Sequence, residues 1–190
     1  MLLQKEKSCL IVIDVQEKLA PLVSHIDSLI SHCQWLMRLA TELDVPLLVT
    51  EQYVQGLGPT IEPLRKWMPG KTDIDKLSFS CTRDQSFQKH WQIINKKQAV
   101  LAGIETHVCV LQTALDLCRA GIEVFVVVDA VSSRHVRDHD IGLQRMQQAG
   151  VHLVTKEMVF FEWMEQAGTP TFKALSKVFI TRSQAKTEES

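Results

Sequence analysis

The stretch QAVLAGIETHVCVLQTALDLCRAG, Gln98 to Gly121, decides the fold of this chain. Its first seven residues, Gln98 to Ile104, read as a buried strand. From Thr106 to Ala120 the pattern is helical, and Gly121 stands where helices are commonly closed by a residue of positive φ. A strand leading after one residue into a helix is half of a β–α–β unit. The junction also delivers a cysteine, Cys109, to the first turn of the helix.

The same alternation extends in both directions. Towards the C-terminus come a strand EVFVVVDA (Glu123 to Ala130) and a helix from Val136 to Ala149, closed by Gly150. A sixth strand, VHLVT, follows, then helical patterns over Val159 to Gln166 and Thr171 to Val178. Towards the N-terminus, CLIVIDV (Cys9 to Val15) is a continuous apolar run of the kind a strand covered on both faces needs. An amphipathic helix from Ile26 to Leu43 carries Leu29, Cys33, Leu36 and Ala40 at helical spacing, and Pro46 opens a second strand, PLLVTE. Residues 53 to 70, rich in Gly and Pro, form a long loop, the kind that often carries function. KLSFS (Lys76 to Ser80) is a short strand and Asp84 to Asn95 a helix.

Strands alternating with helices through short connections predict one α/β domain, residues 1–181. Its architecture is three-layer αβα, a Rossmann-like six-stranded parallel sheet with right-handed crossovers. The polar stretch 182–190 reads as a flexible C-terminal tail. No repeat, low-complexity tract or linker divides the chain.

Composition narrows the function classes. The 190 residues are 45% hydrophobic and 23% charged, enough for a full-sized core. With 21 basic and 22 acidic side chains the formal net charge is -1, which argues against a nucleic-acid partner. The apolar run Cys9 to Ile13 is too short to span a bilayer and lacks a signal-peptide cleavage site, so no membrane association is expected. Five cysteines at irregular spacing, with no C-x-x-C, are neither a disulfide framework nor a zinc site. They imply a reducing, cytoplasmic compartment.

In open parallel sheets ligands bind beyond the carboxyl ends of the strands, where the strand order reverses. Asp14 and Glu51 end the first and second strands, Lys76 lies at the third, and Cys109 follows the fourth. If the order is 3-2-1-4-5-6, Asp14 and Cys109 face one another. Each residue type has a chemical reason to be there. A thiol becomes a good nucleophile once deprotonated, and a helix N-terminus favours the thiolate. A carboxylate within reach can take the proton. A lysine beside both keeps the acid ionised, and backbone amides at the turn can hold an oxyanion.

Four signatures now fall in order: IVIDVQEKL around Asp14, DKLSFS around Lys76, LAGIETHVCVLQTALDLCRAG around Cys109, and VVVDAVSSR (Val126 to Arg134) with Arg145–Met146 beyond it. Together, over about residues 8 to 180, they resemble the isochorismatase-like cysteine hydrolases, most of all the isochorismatase-domain-containing subgroup. The resemblance implies a catalytic triad of Asp14, Lys76 and Cys109. It implies a non-proline cis peptide at Ile104–Glu105 and an oxyanion hole from the amides of Glu105 and Cys109. It also implies a small-molecule substrate with an amide-type C–N bond, a thioester intermediate and a homo-oligomer. Nicotinamidases of the superfamily bind metal through an Asp-x-His segment after the second strand. Here that segment reads EQYVQGLGPT and has no histidine, so no metal and no other cofactor is expected, and nicotinamide is disfavoured as substrate. Resemblance and loop position put Gln16, Tyr53, Gln55 and Leu57 in the substrate pocket, and His107 lies near the nucleophile.

Plainer readings stand beside these. Cys109 alone would be a buried small hydrophobe, as Cys9, Cys33 and Cys118 are expected to be. Asp14 alone would be a turn residue, and Lys76 has solvated neighbours in Lys66, Lys71 and Lys89. Cys81 follows the short strand, close enough to approach the site. His135 and His139 share a helical face at a metal-ligand spacing but lack a third ligand, which favours capping or surface hydrogen bonding. His107 reads equally as an exposed first-turn residue, and Trp67, Trp91 and Trp163 as core or subunit-contact residues. The alternative to an enzyme is a catalytically silent binding or scaffold protein with the same fold. A thiol redox role would need a resolving cysteine near Cys109.

Overall fold

The computed structural model describes residues 1–68, 70 and 74–180, so the tail expected at 182–190 lies outside the described residues. Six strands form one parallel sheet: β1 (Ser8–Ile13), β2 (Leu47–Gln52), β3 (Asp75–Lys76), β4 (Gln98–Ile104), β5 (Glu123–Ser132) and β6 (His152–Val154). Their order is β3-β2-β1-β4-β5-β6, with the reversal between β1 and β4. β1 runs in register with both neighbours, Ile13 opposite Thr50 of β2 and Gly103 of β4. The fold is a three-layer α/β architecture.

The two helical layers follow from the period-two alternation of side chains along buried strands. Leu10 and Val12 of β1, Val100, Ala102 and Ile104 of β4, and Phe125 and Val127 of β5 share one face. Helix α1 (Ile26–Glu42) covers that face, with α7 (Lys156–Met164) and α8 (Pro170–Phe179). Cys9, Ile11 and Ile13, with Ala99, Leu101, Val124 and Val126, point the other way. They meet α4 (Gln85–Ile94), α5 (Leu111–Arg119) and α6 (Val136–Gln148) through Phe87, Ala114, Leu117 and Met146. Asp84, Thr155 and Thr169 cap α4, α7 and α8, each accepting from a backbone N–H of the first turn. Among the described residues no helix is long and apolar enough to cross a membrane.

Where β1 and β4 meet, the backbones leave no room for a side chain. Gly103 sits at φ +112°, and a Cβ there would lie 2.1 Å from the carbonyl oxygen of Ile13. Glycine is what this contact requires. Beyond it the β4–β5 register shifts between Leu101 and Gly103, and β5 continues two residues past the expected Ala130.

Four local expectations are corrected. The strand expected over Lys76 to Ser80 is only Asp75–Lys76, because the chain turns back and the Phe79 carbonyl accepts from Lys76 Nζ. The helix expected from Thr106 begins as a π-turn, Thr106–Val110, before α5. The loop after β2 contains two single-turn helices, α2 (Val54–Leu57) and α3 (Glu62–Arg65). Cys118, expected in the core, is half-buried at the end of α5.

Candidate active site

β1 stops at Asp14, which takes φ +54°. Its N–H still donates to the Thr50 carbonyl, holding the residue at the sheet's edge, while the side chain is fully buried. Two partners hold the carboxylate. Thr50 Oγ1 donates to Oδ1 at 2.7 Å, and Lys76 Nζ donates to Oδ2 at 2.6 Å. Lys76 is fully buried as well, and its ammonium also donates to Gln52 Oε1 at 2.6 Å and to the Phe79 carbonyl at 3.2 Å. Its three donors are all used. Burial pushes the Lys76 ammonium down, but the charge and hydrogen bond of Asp14 together with the Cys81 and Cys109 thiols outweigh it, and its pKa stands above the ordinary lysine value.

Cys109 sits in the π-turn after β4, buried, close enough to Asp14 and Lys76 for the charges of both to act on its thiol. The Ile104–Glu105 peptide is cis. The Glu105 carbonyl accepts from Val108 N–H at 3.0 Å and from Val110 N–H at 3.2 Å, which winds the turn around Cys109. The electrostatics correct one expectation: the thiol is raised above its ordinary range, by burial first and then by the Asp14 charge, with Lys76 lowering it less. A helix N-terminus does not preform a thiolate here, because desolvation and an adjacent carboxylate outweigh it.

Sequence reasoning missed Thr50 and Gln52, which hold the acid and the lysine. The strand-end rule pointed to the right place but to Glu51, whose side chain turns the other way. Glu51 Oε1 accepts from the N–H and hydroxyl of Thr60, at 2.6 and 2.7 Å. Cys81 lies beside the same network: it is fully buried, its thiol reaches Thr50 Oγ1 at 3.7 Å, and its N–H donates to Thr113 Oγ1. Burial, then the Asp14 charge, raises its pKa to about 11.

The remaining expected residues divide. Gln16 is fully buried, and its amide clamps the Gln52 backbone and donates to the Gly58 carbonyl, so it braces the loop after β2. Tyr53 and Gln55 are exposed and Leu57 is half-buried. His107 bonds Ser133 Oγ through Nδ1 at 3.0 Å, and His139 bonds Thr106 Oγ1 at 2.9 Å, so both tie the π-turn to the start of α6. His135 is the N-cap residue of α6 but makes no side-chain cap bond, so of the two roles expected for this pair, capping or surface hydrogen bonding, it does not take the first. Among the described residues no group of three or more His, Cys, Asp or Glu side chains could hold a metal ion.

Known proteins share this arrangement of sheet and strand ends. Residues 8–158 match the family model described as the isochorismatase domain. Isochorismatase domain-containing protein 2A of Mus musculus is 40% identical over 174 residues, 91% of this chain and 82% of the relative. A Caenorhabditis elegans structure described as MAR1 ribonuclease is 35% identical with a TM-score of 0.87, over 95% of this chain and 93% of the other. The YcaC gene product of Escherichia coli, described as an octameric hydrolase of unknown specificity, is 26% identical with a TM-score of 0.88, over 97% and 93%. The domain match spans β1 to the first turn of α7 and includes Asp14, Lys76 and Cys109, and on that ground the chain belongs to the isochorismatase family.

Proposed function

We propose that this protein is a cysteine-dependent hydrolase of a small-molecule amide-type C–N bond, with Asp14, Lys76 and Cys109 as its catalytic triad. Family membership supports hydrolase activity in general terms. The observation that carries the finer reading is the buried ion pair, Lys76 Nζ to Asp14 Oδ2 at 2.6 Å, with the buried Cys109 thiol close enough to feel both charges. Burying two charges is costly and is rarely retained for stability alone.

The chemistry starts from a protonated thiol. As the sulfur attacks the carbonyl carbon, its proton passes to Asp14 and the carbonyl oxygen takes the negative charge, held by the amides of Glu105 and Cys109. The C–N bond then breaks, and the amine leaves with the proton from Asp14. Water attacks the resulting thioester and gives a proton to Asp14. The C–S bond breaks, the acid departs, and the thiolate takes the proton back. Lys76 keeps Asp14 anionic between these transfers and remains an ammonium throughout.

A homo-oligomer working in a reducing cytoplasm completes the reading; the E. coli relative is described as octameric. The C. elegans relative's description as a ribonuclease finds no support in a net charge of -1. The competing view is a catalytically silent binding protein. Incubation with a slow amide or an aldehyde, followed by intact and peptide mass spectrometry, tests the proposal: an adduct on Cys109, absent from Cys109→Ala, is expected. No adduct, or one on another cysteine, overturns it.

A further inference from the structure

A pocket of about 670 Å³ lies on the outer side of α1, between the chain following α3, the start of α7 and the end of α8. Neither Asp14, Lys76 nor Cys109 lines it. Its chemistry is one-sided. Arg38, Lys66 and Lys156 line it, along with Trp35, Trp67 and Phe179, and no carboxylate does, on a chain whose overall charge is -1.

Each cation sits over one of these rings: Arg38 at 5.3 Å from the Phe179 centroid, Lys66 at 5.4 Å from Trp67, and Lys156 at 5.8 Å from Trp35. Such contacts hold a cationic head at an aromatic wall without neutralising it. Arg38 has a loose contact with Glu42, at 3.8 Å, while among the described residues neither lysine ammonium is within 4.0 Å of a carboxylate.

We infer that this pocket binds a small organic anion: a planar ring carrying a phosphate or carboxylate, the anionic group met by Lys66, Lys156 and Arg38 and the ring by the Trp35 and Trp67 walls. Phosphate and carboxylate share the recognition chemistry, since both offer several acceptor oxygens to clustered cations. The inference is independent of the hydrolase reading, because the pocket shares no residue with the triad.

Titration calorimetry on the full chain with phenyl phosphate, benzoate, phenol and inorganic phosphate tests it. One ring-bearing anion should bind at least about tenfold more tightly than both phenol and inorganic phosphate, as expected when charge-assisted bonds and ring contact act together. Whichever of phenyl phosphate and benzoate is tighter names the anionic group. Lys66→Glu with Lys156→Glu should remove that binding, and Trp67→Ala, which takes away the aromatic wall, should weaken it severalfold. If the double variant fails to fold, Lys66→Ala alone, at an exposed side chain, should still weaken binding. Phenol or inorganic phosphate binding as tightly as the tighter of the two ring-bearing anions, or lysine variants that bind it unchanged, would each overturn the inference.

Discussion

Lys76 Nζ and Asp14 Oδ2 stand 2.6 Å apart with both side chains fully shielded from solvent, although 62 residues separate them in the chain. The pair bridges β3 and the end of β1, with β2 between them. β2 supplies Thr50 to one partner and Gln52 to the other.

Breaking the pair from one side leaves a buried charge without its partner. Asp14→Asn or Lys76→Met should each cost about 3–5 kcal/mol of unfolding free energy. The double replacement should recover much of that, because no net charge is stranded. Neither single variant nor the double should turn over substrate. Urea denaturation measures the first result and initial rates on a panel of small amides, ureides and carbamates the second.

Cys109→Ala should reduce turnover of any substrate from that panel to background, since it removes the proposed nucleophile. Stability should fall by no more than about 1–2 kcal/mol, because one buried sulfur is lost from the packing. Retained turnover would contradict the assignment. In the resting protein, alkylation of Cys109 by iodoacetamide should be slow at neutral pH and should speed up as pH rises.

Thr50→Val takes away the hydroxyl that donates to Asp14 Oδ1 and strands the Cys81 thiol beside a methyl group. A loss of about 1–3 kcal/mol is expected for the buried acceptor left short of a partner. Thr50→Ser should restore most of it. If Thr50 positions the acid, kcat should fall in Thr50→Val and recover in Thr50→Ser, with KM moving much less.

Gly103→Ala should prevent folding or leave only insoluble protein, because its Cβ would lie 2.1 Å from the Ile13 carbonyl oxygen at a φ that L-residues avoid. Gly142→Ala is a milder version: its Cβ would meet His107 Cα at 3.2 Å, so α6 and the π-turn must shift by a few tenths of an ångström. About 1–3 kcal/mol is expected from such overpacking. Expression yield and thermal unfolding of the two variants compare the effects.

Stability should fall at alkaline pH. Burial first, opposed by the Lys96 charge, raises Cys9 from 9.0 to about 12, and burial with the Asp129 charge raises Cys33 likewise; Cys81 is raised to about 11. The folded state therefore holds these protons after the unfolded chain has released them. The stabilisation is complete below pH 9.0 and is lost as pH climbs towards the folded values, with Lys76, also raised, acting in the same direction at higher pH. The slope is up to about 1.4 kcal/mol per pH unit for each thiol. A urea midpoint that holds steady from pH 9 to 11 would contradict it.

Much of this protein is readable before any coordinates. The buried runs around Ile11, Val100 and Val126 report strands covered on both faces, since only apolar side chains can line both sides of a strand inside a three-layer fold. Gly121 and Gly150 take the positive φ expected where α5 and α6 end. The rule of strand ends also led to Asp14 and Cys109, because those positions follow directly from where apolar runs stop.

What local pattern leaves open was decided by contacts between distant segments. Whether Thr50 or Glu51 faces Asp14 depends on strand parity, which the pairing of β2 with β1 sets. That Lys76 is held in the site depends on Gln52, 24 residues away, accepting from its ammonium. The proton state of Cys109 reversed the local expectation, because a thiol's pKa reports the desolvation and charges around it, and burial with a carboxylate outweighed the helix terminus. The cationic pocket has no signature in the chain at all. Its three cations come from α1, from the segment after α3 and from α7, and only packing of those helices brings them to one place.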